Sequence, residues 1–406
     1  MELNRRKRAL IIGAGVAGPV LALFFKQAEI ECELFEASPT ISDSGGALGI
    51  AANGMNVLQD AAVAERLRDV SVTAGSSYFG NQTGRLLALV PPADPRRYGQ
   101  TGIMITRTAL HRCLVECAER QGIRVHYGKR LTHIQDPANQ PLVAFFADGS
   151  SAEGDLIVGA DGIASNVRQA VMPEAARPVY TGLMALSGFS PCRDKDVLPR
   201  SLQPVHFIFG QKGFFGYFNT VTADGPRTIW WSTFSAPLAG KDEMKRATPE
   251  ELQQRLMALH SDWASPVPDL IAASPEVKSA AIHDVPSLPG WSAGRTVLIG
   301  DAAHAVAPHS GQGASMALED AQFLARLLRE TPQWNLPEIF RRFEQHRRPR
   351  TDRVIALGRR NGQRKEVLHP VAYWIQQQII RVAVPLTLTR GQDWLLGYKV
   401  ATQPTS

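Results

Sequence analysis

The spacing of apolar and polar residues changes character several times along this chain, and each change predicts a different element. Ala9-Leu10-Ile11-Ile12 is a short unbroken apolar run, the pattern of a strand covered on both faces. It gives way to Gly13-Ala14-Gly15-Val16-Ala17-Gly18 and then to a helix from about Val16 to Lys26. A second strand, Cys32-Glu33-Leu34-Phe35, ends on Glu36. Two later apolar runs repeat the strand-then-turn layout. Asp155-Leu156-Ile157-Val158-Gly159 precedes Asp161-Gly162, and Val297-Leu298-Ile299 precedes Gly300-Asp301. The second of these passes through Pro308-His309-Ser310-Gly311-Gln312-Gly313 into a helix. Its apolar positions Ala314, Ala317, Leu318, Ala321, Leu324, Ala325 and Leu328 keep helical spacing.

Between about Arg177 and Asp284 the pattern turns to alternating, aromatic-rich runs, HFIFGQKGFFGYFNTV and RTIWWSTF, which predict strands. Asp224-Gly225 between them signals a hairpin, and the composition suits a sheet covering a ligand. Gly210, Gly213 and Gly216 sit in strand-like sequence with no following helix, so they do not make a second nucleotide loop. Phe207, Phe209, Phe215, Tyr217, Trp230 and Trp231 are candidates for a substrate wall, although alternation sends half of them to the other face. Beyond Pro370 an amphipathic segment, broken by Pro385, is expected to pack back on the protein.

Composition narrows the classes. With 406 residues, 44% apolar and 20% charged, the chain can bury a large core in two domains or subdomains. A net charge of +6 admits an anionic partner, yet the densest basic stretch, Arg341 to Lys365, alternates with apolar positions and reads as the solvated face of a helix. No aromatic-basic reader motif accompanies it, so nucleic acid is not an expected partner. Four cysteines fit a reduced, cytoplasmic setting; Cys113 and Cys117 read as core thiols, and no metal-ligand spacing is found. Asn4-Arg5-Arg6-Lys7-Arg8 ahead of ALIIGAGVAGPVLALFF imitates a signal peptide or short span, but its glycines and Pro19 suit a strand-turn-helix better. No other stretch is long and apolar enough to span a bilayer, so a soluble chain without stable membrane insertion is expected.

The first turn matches G-x-G-x-x-G in its required setting. Gly13 permits the tight turn, Gly15 lets backbone approach a pyrophosphate, and Gly18 lets helix and strand pack. Glu36 is placed to accept hydrogen bonds from ribose hydroxyls. At this point NAD and FAD both remain open. Asp161-Gly162, with Ser165 and Arg168 behind it, has an ordinary reading as an Asx turn capping a helix. No Ser/His/Asp arrangement or G-x-S-x-G elbow emerges.

In this order, the three turns resemble class A flavoprotein monooxygenases of the para-hydroxybenzoate hydroxylase and salicylate hydroxylase type, which include tetracycline-inactivating enzymes. Asp161-Gly162 looks like their DG motif and Gly300-Asp301 like their GD motif; the resemblance spans residues 8 to about 355. It implies an α/β fold with a Rossmann-like FAD-binding domain of glutathione reductase type (1–75, 101–176 and 285–350). This is interleaved with a β-sheet substrate domain (76–100 and 177–284) and followed by a C-terminal helical segment (351–406). It also implies that Asp301 holds the ribityl chain, that Gly311, Gln312, Gly313 and Ala314 admit the flavin ring, and that Pro308 and Gly311 line its oxygen-reacting side. Arg107 would contact FAD phosphate near the start of a helix. His304 would be a buried, hydrogen-bonded structural residue. Ala37 follows Glu36 where many relatives carry a basic residue, and Ala314-Ser315 follows the glycines where several have Asn in second place.

The activity so implied is a single-component monooxygenase. NAD(P)H reduces FAD, O2 adds at flavin C4a, and the hydroperoxide hydroxylates or epoxidises an aromatic, enolic or polyketide-like small molecule. A monomer or homodimer is expected, with NAD(P)H visiting transiently. Two rivals share the scaffold: a reductase of geranylgeranyl reductase type, and a non-catalytic carrier resembling GDP dissociation inhibitors.

Overall fold

Arg8–Ile12 forms the strand that its apolar run predicts, and all but its first residue is buried. In the computed structural model, which describes residues 7–41, 46–192, 196–305, 307–331, 333–363, 368–390 and 392–400, it lies parallel to Glu31–Phe35 on one side and Leu156–Gly159 on the other. Asn4, Arg5 and Arg6 of the basic N-terminal run, Val306, and Arg364 and Lys365 fall outside the described residues. The sheet has six strands in the order 292–293, 296–298, 156–159, 8–12, 31–35 and 124–126. Helices Ala17–Gln27, Arg107–Arg120 and Gly313–Glu330 pack with it into the main core. Only coverage on both faces explains strands that are apolar throughout.

Gly13 adopts φ +106, and a Cβ there would lie 2.4 Å from the Ala160 carbonyl oxygen. One on Gly18 would lie 2.0 Å from the Gly13 carbonyl oxygen. Both glycines are therefore dictated by close backbone packing.

The second sheet has nine strands, running 277–284, 179–191, 225–235, 214–222, 202–209, 72–81, 103–106 and 47–50, with 86–90 paired to 72–81. It draws Ala47–Ile50 and Ile103–Thr106 from sequence outside 76–100 and 177–284. The predicted hairpin is present. Thr222 pairs with Gly225, so the two-residue loop is Ala223-Asp224, and Gly225, at φ +100, opens the second strand instead of belonging to the turn. Helices Pro249–His260 and Val267–Ala272 cover one face through a core that includes Leu252, Leu256 and Ile271. The other face meets Ala307 and the helix Pro370–Arg390.

Three sequence expectations fail in the C-terminal third. Leu336–Gln363 is one helix that runs across residue 350 with Pro349 inside it. Its basic stretch is not simply a solvated face, because Arg347 is fully buried and the Arg350 side chain is 8% exposed. Pro370–Arg390 likewise continues through Pro385. A proline removes one backbone hydrogen bond and kinks a free helix, but this one is held along its length by Ile380 and Val384 against Leu87 and Ala88. Nor is it amphipathic, since Trp374, Ile379 and Val382 are exposed on the side away from that contact. Among the described residues no helix is long and apolar enough to cross a membrane.

Candidate functional site

Leu298, Gly159, Ile12 and Phe35 are register partners across four adjacent parallel strands. The chain therefore emits Gly300-Asp301, Asp161-Gly162, the Gly13–Gly15 turn and Glu36 side by side, across about three strand spacings or ~14 Å. This is the carboxyl edge of the sheet, where ligand crevices form in open α/β folds. Added side chains at Gly15, Gly162 and Gly311 would each meet no protein atom within 4 Å. Unlike Gly13 and Gly18, these three leave room for something beside the backbone.

Each acid in the row has a distinct environment. Glu36 accepts hydrogen bonds from the Ala14 amide at 2.9 Å and the Ser38 amide at 2.8 Å; two carboxylate oxygens retain further lone pairs for a ligand. Asp161 is engaged more fully, accepting from the Val167 amide at 3.0 Å and from the Ser165 hydroxyl. It thereby holds the start of helix Asn166–Val171, and burial pushes its carboxyl pKa up against those bonds. Arg168, fully buried, donates to the Ala302 carbonyl at 2.8 Å and the Ile163 carbonyl at 2.6 Å, fastening the second turn to the third.

Asp301 is different. Its side chain is exposed, yet it lies deep enough for desolvation to push its carboxyl pKa up, against the pull of His304 and Arg107. A residue that is surrounded by protein and still accessible lines an internal crevice. Arg107, exposed, opens helix Arg107–Arg120 behind the N-cap Thr106, whose hydroxyl accepts from the Ala109 amide at 3.1 Å. Among the described residues its guanidinium has no hydrogen-bond or ion-pair partner.

After Ala307, residues Pro308–Ser310 make a tight turn, Gly311 takes the left-handed region at φ +64, and helix Gly313–Glu330 begins with no side-chain cap. The first amides of that helix are thus available to an acceptor in the loop. Ser315, where several members of the resembled family carry Asn, is buried, and its hydroxyl accepts from the Ala51 amide at 3.3 Å.

Behind the loop lies a buried charge network that sequence reasoning passed over. Asp320 accepts from the Gly300 amide at 2.9 Å, from His304 Nε2 at 2.5 Å and from Arg347 Nε at 2.7 Å. Glu319 is clasped by Arg347 at 2.8 Å and Arg350 at 2.7 Å. Asn53 donates both to Glu319, at 2.7 Å, and to the Gln312 side chain, at 3.0 Å. Burial alone would raise the Asp320 carboxyl, but the neighbouring His304 and Arg347 side chains hold it at about 2. The available signal was two adjacent acids inside the apolar stripe of one helix and the arginines of the next.

The aromatic candidates divide by strand parity. Phe215 and Trp230 are both fully buried and stacked 5.5 Å apart within the helix-covered core. Tyr217 shares that face, against His206 at 4.3 Å. Three of the six expected wall residues therefore point away from the crevice, because alternation along each strand leaves only one parity facing it. Phe207 and Phe209 take the opposite face, joined by Phe214 and Trp231.

A crevice at the carboxyl edge of a parallel sheet, faced by a second sheet and lined by an acid and unfilled glycine positions, is the layout of a dinucleotide-binding α/β protein. Residues 6–357 match the FAD binding domain family, and the chain belongs to it. Within that family it is a class A flavin monooxygenase, an FAD-dependent oxidoreductase. It is 30% identical over 365 residues to 6-hydroxynicotinate 3-monooxygenase of Pseudomonas fluorescens, covering 88% of this chain and 92% of the relative. It is 30% identical over 385 residues to 2-heptyl-3-hydroxy-4(1H)-quinolone synthase of Pseudomonas aeruginosa, covering 92% and 93%. The fold is shared with Klebsiella pneumoniae HpxO complexed with FAD and uric acid, at a TM-score of 0.82, 23% identity, and 97% and 98% coverage.

Proposed function

We propose that this monooxygenase draws on NAD(P)H and O2 to hydroxylate or epoxidise an aromatic, enolic or polyketide-like small molecule held between the loop 307–313 and the large sheet. The observation that carries the reading is Asp301, accessible yet deep, at the end of a row of glycines with open space beside them. Bound FAD supplies the electron-transfer and oxygen-activating chemistry; the residues of this chain bind, orient and shelter it.

In this reading the Gly13, Gly15 and Gly18 turn and Gly162 admit the pyrophosphate, Glu36 accepts from the ribose, and Arg107 neutralises phosphate charge. Asp301 accepts from ribityl hydroxyls, as an ionised carboxylate can. Asp161 acts through its cap, keeping the second turn in shape. Gly311, Gln312, Gly313 and Ala314 approach the ring, and the uncapped amides at the head of the helix stabilise negative charge on it, by about 0.3–2 kcal/mol from the helix dipole. Pro308 and Gly311 line the oxygen-reacting side and keep water away. The six-stranded sheet and its helices form the FAD-binding domain, the nine-stranded sheet the substrate domain, and the helix Pro370–Arg390 their cover. We place the enzyme in the cytoplasm, as a monomer or homodimer.

The test is a screen for compounds that accelerate NAD(P)H oxidation by the FAD-loaded chain, followed by product mass under 18O2. One labelled oxygen in the product is the expected result. Turnover that proceeds anaerobically with no label would identify a reductase instead, and a chain that takes up no FAD would overturn both.

A further inference from the structure

We infer that the substrate is an uncharged, ring-containing molecule without a carboxylate, laid along a lane of side chains that crosses the large sheet; the inference rests on the site proposed above. Strand register defines the lane. Ser187, Trp231, Gly216, Phe207 and Phe79 form one transverse row on the face that meets the loop. Ala185, Thr233, Phe214, Phe209 and Asn81 form the next. Each row spans four strand spacings, or roughly 19 Å, long enough for a fused ring with a side chain.

The rings in these rows form a continuous belt. Phe207 meets Trp231 edge-on at 6.2 Å, and Phe209 meets Phe214 edge-on at 5.1 Å. Phe79 lies 5.2 Å from Phe207. Phe79 and Phe209 lean on the Leu87, Ala88 and Ile380 cluster, and Phe207 and Trp231 on the cluster of Val205 and Phe218, yet all four keep part of their surface exposed, so the protein covers them only in part. Gly216 carries no side chain because the Trp231 indole occupies its place, 2.3 Å from where a Cβ would stand.

Charge is absent from the interior of both rows. The first row ends at its outer edge on Lys278, the partner of Ser187, which is paired with Glu276 at 3.6 Å and is 42% exposed. Arg227 lies on the same face only at the hairpin end, opposite Pro191. Asn81 is occupied, donating to Gln377 at 2.9 Å and accepting from the Arg85 amide at 2.9 Å. A carboxylate brought onto the interior of these rows would lose its hydration, and no interior residue of either row offers it a cation or a donor fork. A neutral ring would gain aromatic contact, and the Ser187 and Thr233 hydroxyls could serve its carbonyl, hydroxyl or ring N–H. Of the two enzymes compared above, the lane suits the chemistry of a neutral quinolone and not that of a hydroxynicotinate.

Matched pairs test this on the full-length, FAD-loaded protein: 4-hydroxyquinoline against its 2-carboxylate, 2-naphthol against 3-hydroxy-2-naphthoate, and phenol against salicylate. Each is titrated while following the perturbation of flavin absorbance, so that binding is read without turnover. The uncharged member of each pair should bind at least tenfold more tightly. Phe207→Arg, or Ser187→Arg if the first variant loads no FAD, should reverse the order. Equal or tighter binding of the carboxylates by the unmodified chain, or an FAD-loaded chain that no compound perturbs, overturns the inference and leaves the flavin site standing. Failure to take up FAD overturns the site proposal and this inference with it.

Discussion

Replacing Asp320 by Asn removes one charge from a site where nothing but protein can compensate it. The carboxylate is fully buried and bonded to the Gly300 amide, His304 and Arg347. Its pKa falls from an ordinary 3.8 to about 2 in the folded chain, which by linkage corresponds to about 2–3 kcal/mol of stability at neutral pH. No discount for solvent screening applies to a group with no exposure. The loss should stay below the roughly 3–5 kcal/mol of a fully broken buried pair, because Arg347 keeps Glu319. In urea unfolding at pH 7, Asp320→Asn should lower the midpoint with an unchanged slope. A depressed acid stabilises above its unfolded pKa and ceases to do so as pH falls through its folded one. The wild-type chain should therefore lose this contribution between about pH 4 and pH 2, and the variant should lack that part of the pH dependence. A variant within about 0.5 kcal/mol of wild type at pH 7, or one that keeps the full acid slope, would refute the network.

Gly15→Ala should leave the fold intact or slightly stabilised, since its Cβ meets nothing within 4 Å, while weakening FAD at least tenfold by occupying the approach to the pyrophosphate; an unchanged FAD dissociation constant would count against the cradle. Gly18→Ala puts a Cβ 2.0 Å from the Gly13 carbonyl oxygen and should instead destabilise the apoprotein by about 1–3 kcal/mol, seen in urea unfolding. Burial raises the Asp301 pKa, so its ionised form costs stability above the unfolded value near 4. Asp301→Asn should accordingly stabilise the FAD-free chain at pH 7 and weaken FAD retention; a destabilised apoprotein would contradict the crevice. Phe215→Ala should cost about 3–5 kcal/mol without altering ligand titrations of the folded chain. Phe207→Ala should weaken those titrations at smaller cost, and the opposite pattern would mean that the two sheet faces have been assigned the wrong way round.

The flavin-side features were legible because they are local. Gly18 is required by the backbone of Gly13 five residues earlier, and Glu36 follows its strand directly; Gly13 shows its left-handed turn locally, although the Ala160 carbonyl that crowds it comes from a distant strand. His304, read as a bonded structural residue, is indeed held by Asp320. The aromatic residues were not separable in the same way. HFIFG and GFFGYF show that alternate residues face opposite sides, but the sequence carries no label for which side faces a helix layer. Phe215, Tyr217 and Trp230 went to the side covered by Pro249–His260. The arginines of Leu336–Gln363 misled for a related reason: a buried cation and a solvated one have the same spelling, and only the distant acids Glu319 and Asp320 decide between them.

Taken alone, the chain's residues determined the apolar strands, the glycine turn, the order of the three motifs and hence the flavoprotein family, because each is carried by a short stretch of neighbouring residues. Tertiary structure decided how Arg347 and Asp320 meet, which aromatic parity faces the crevice, and that Asp301 remains accessible inside the fold. Those outcomes depend on surfaces of separate elements, such as the two helices that bring Asp320 to Arg347, 27 residues further along the chain, and burial, charge pairing and open space exist only once they have met.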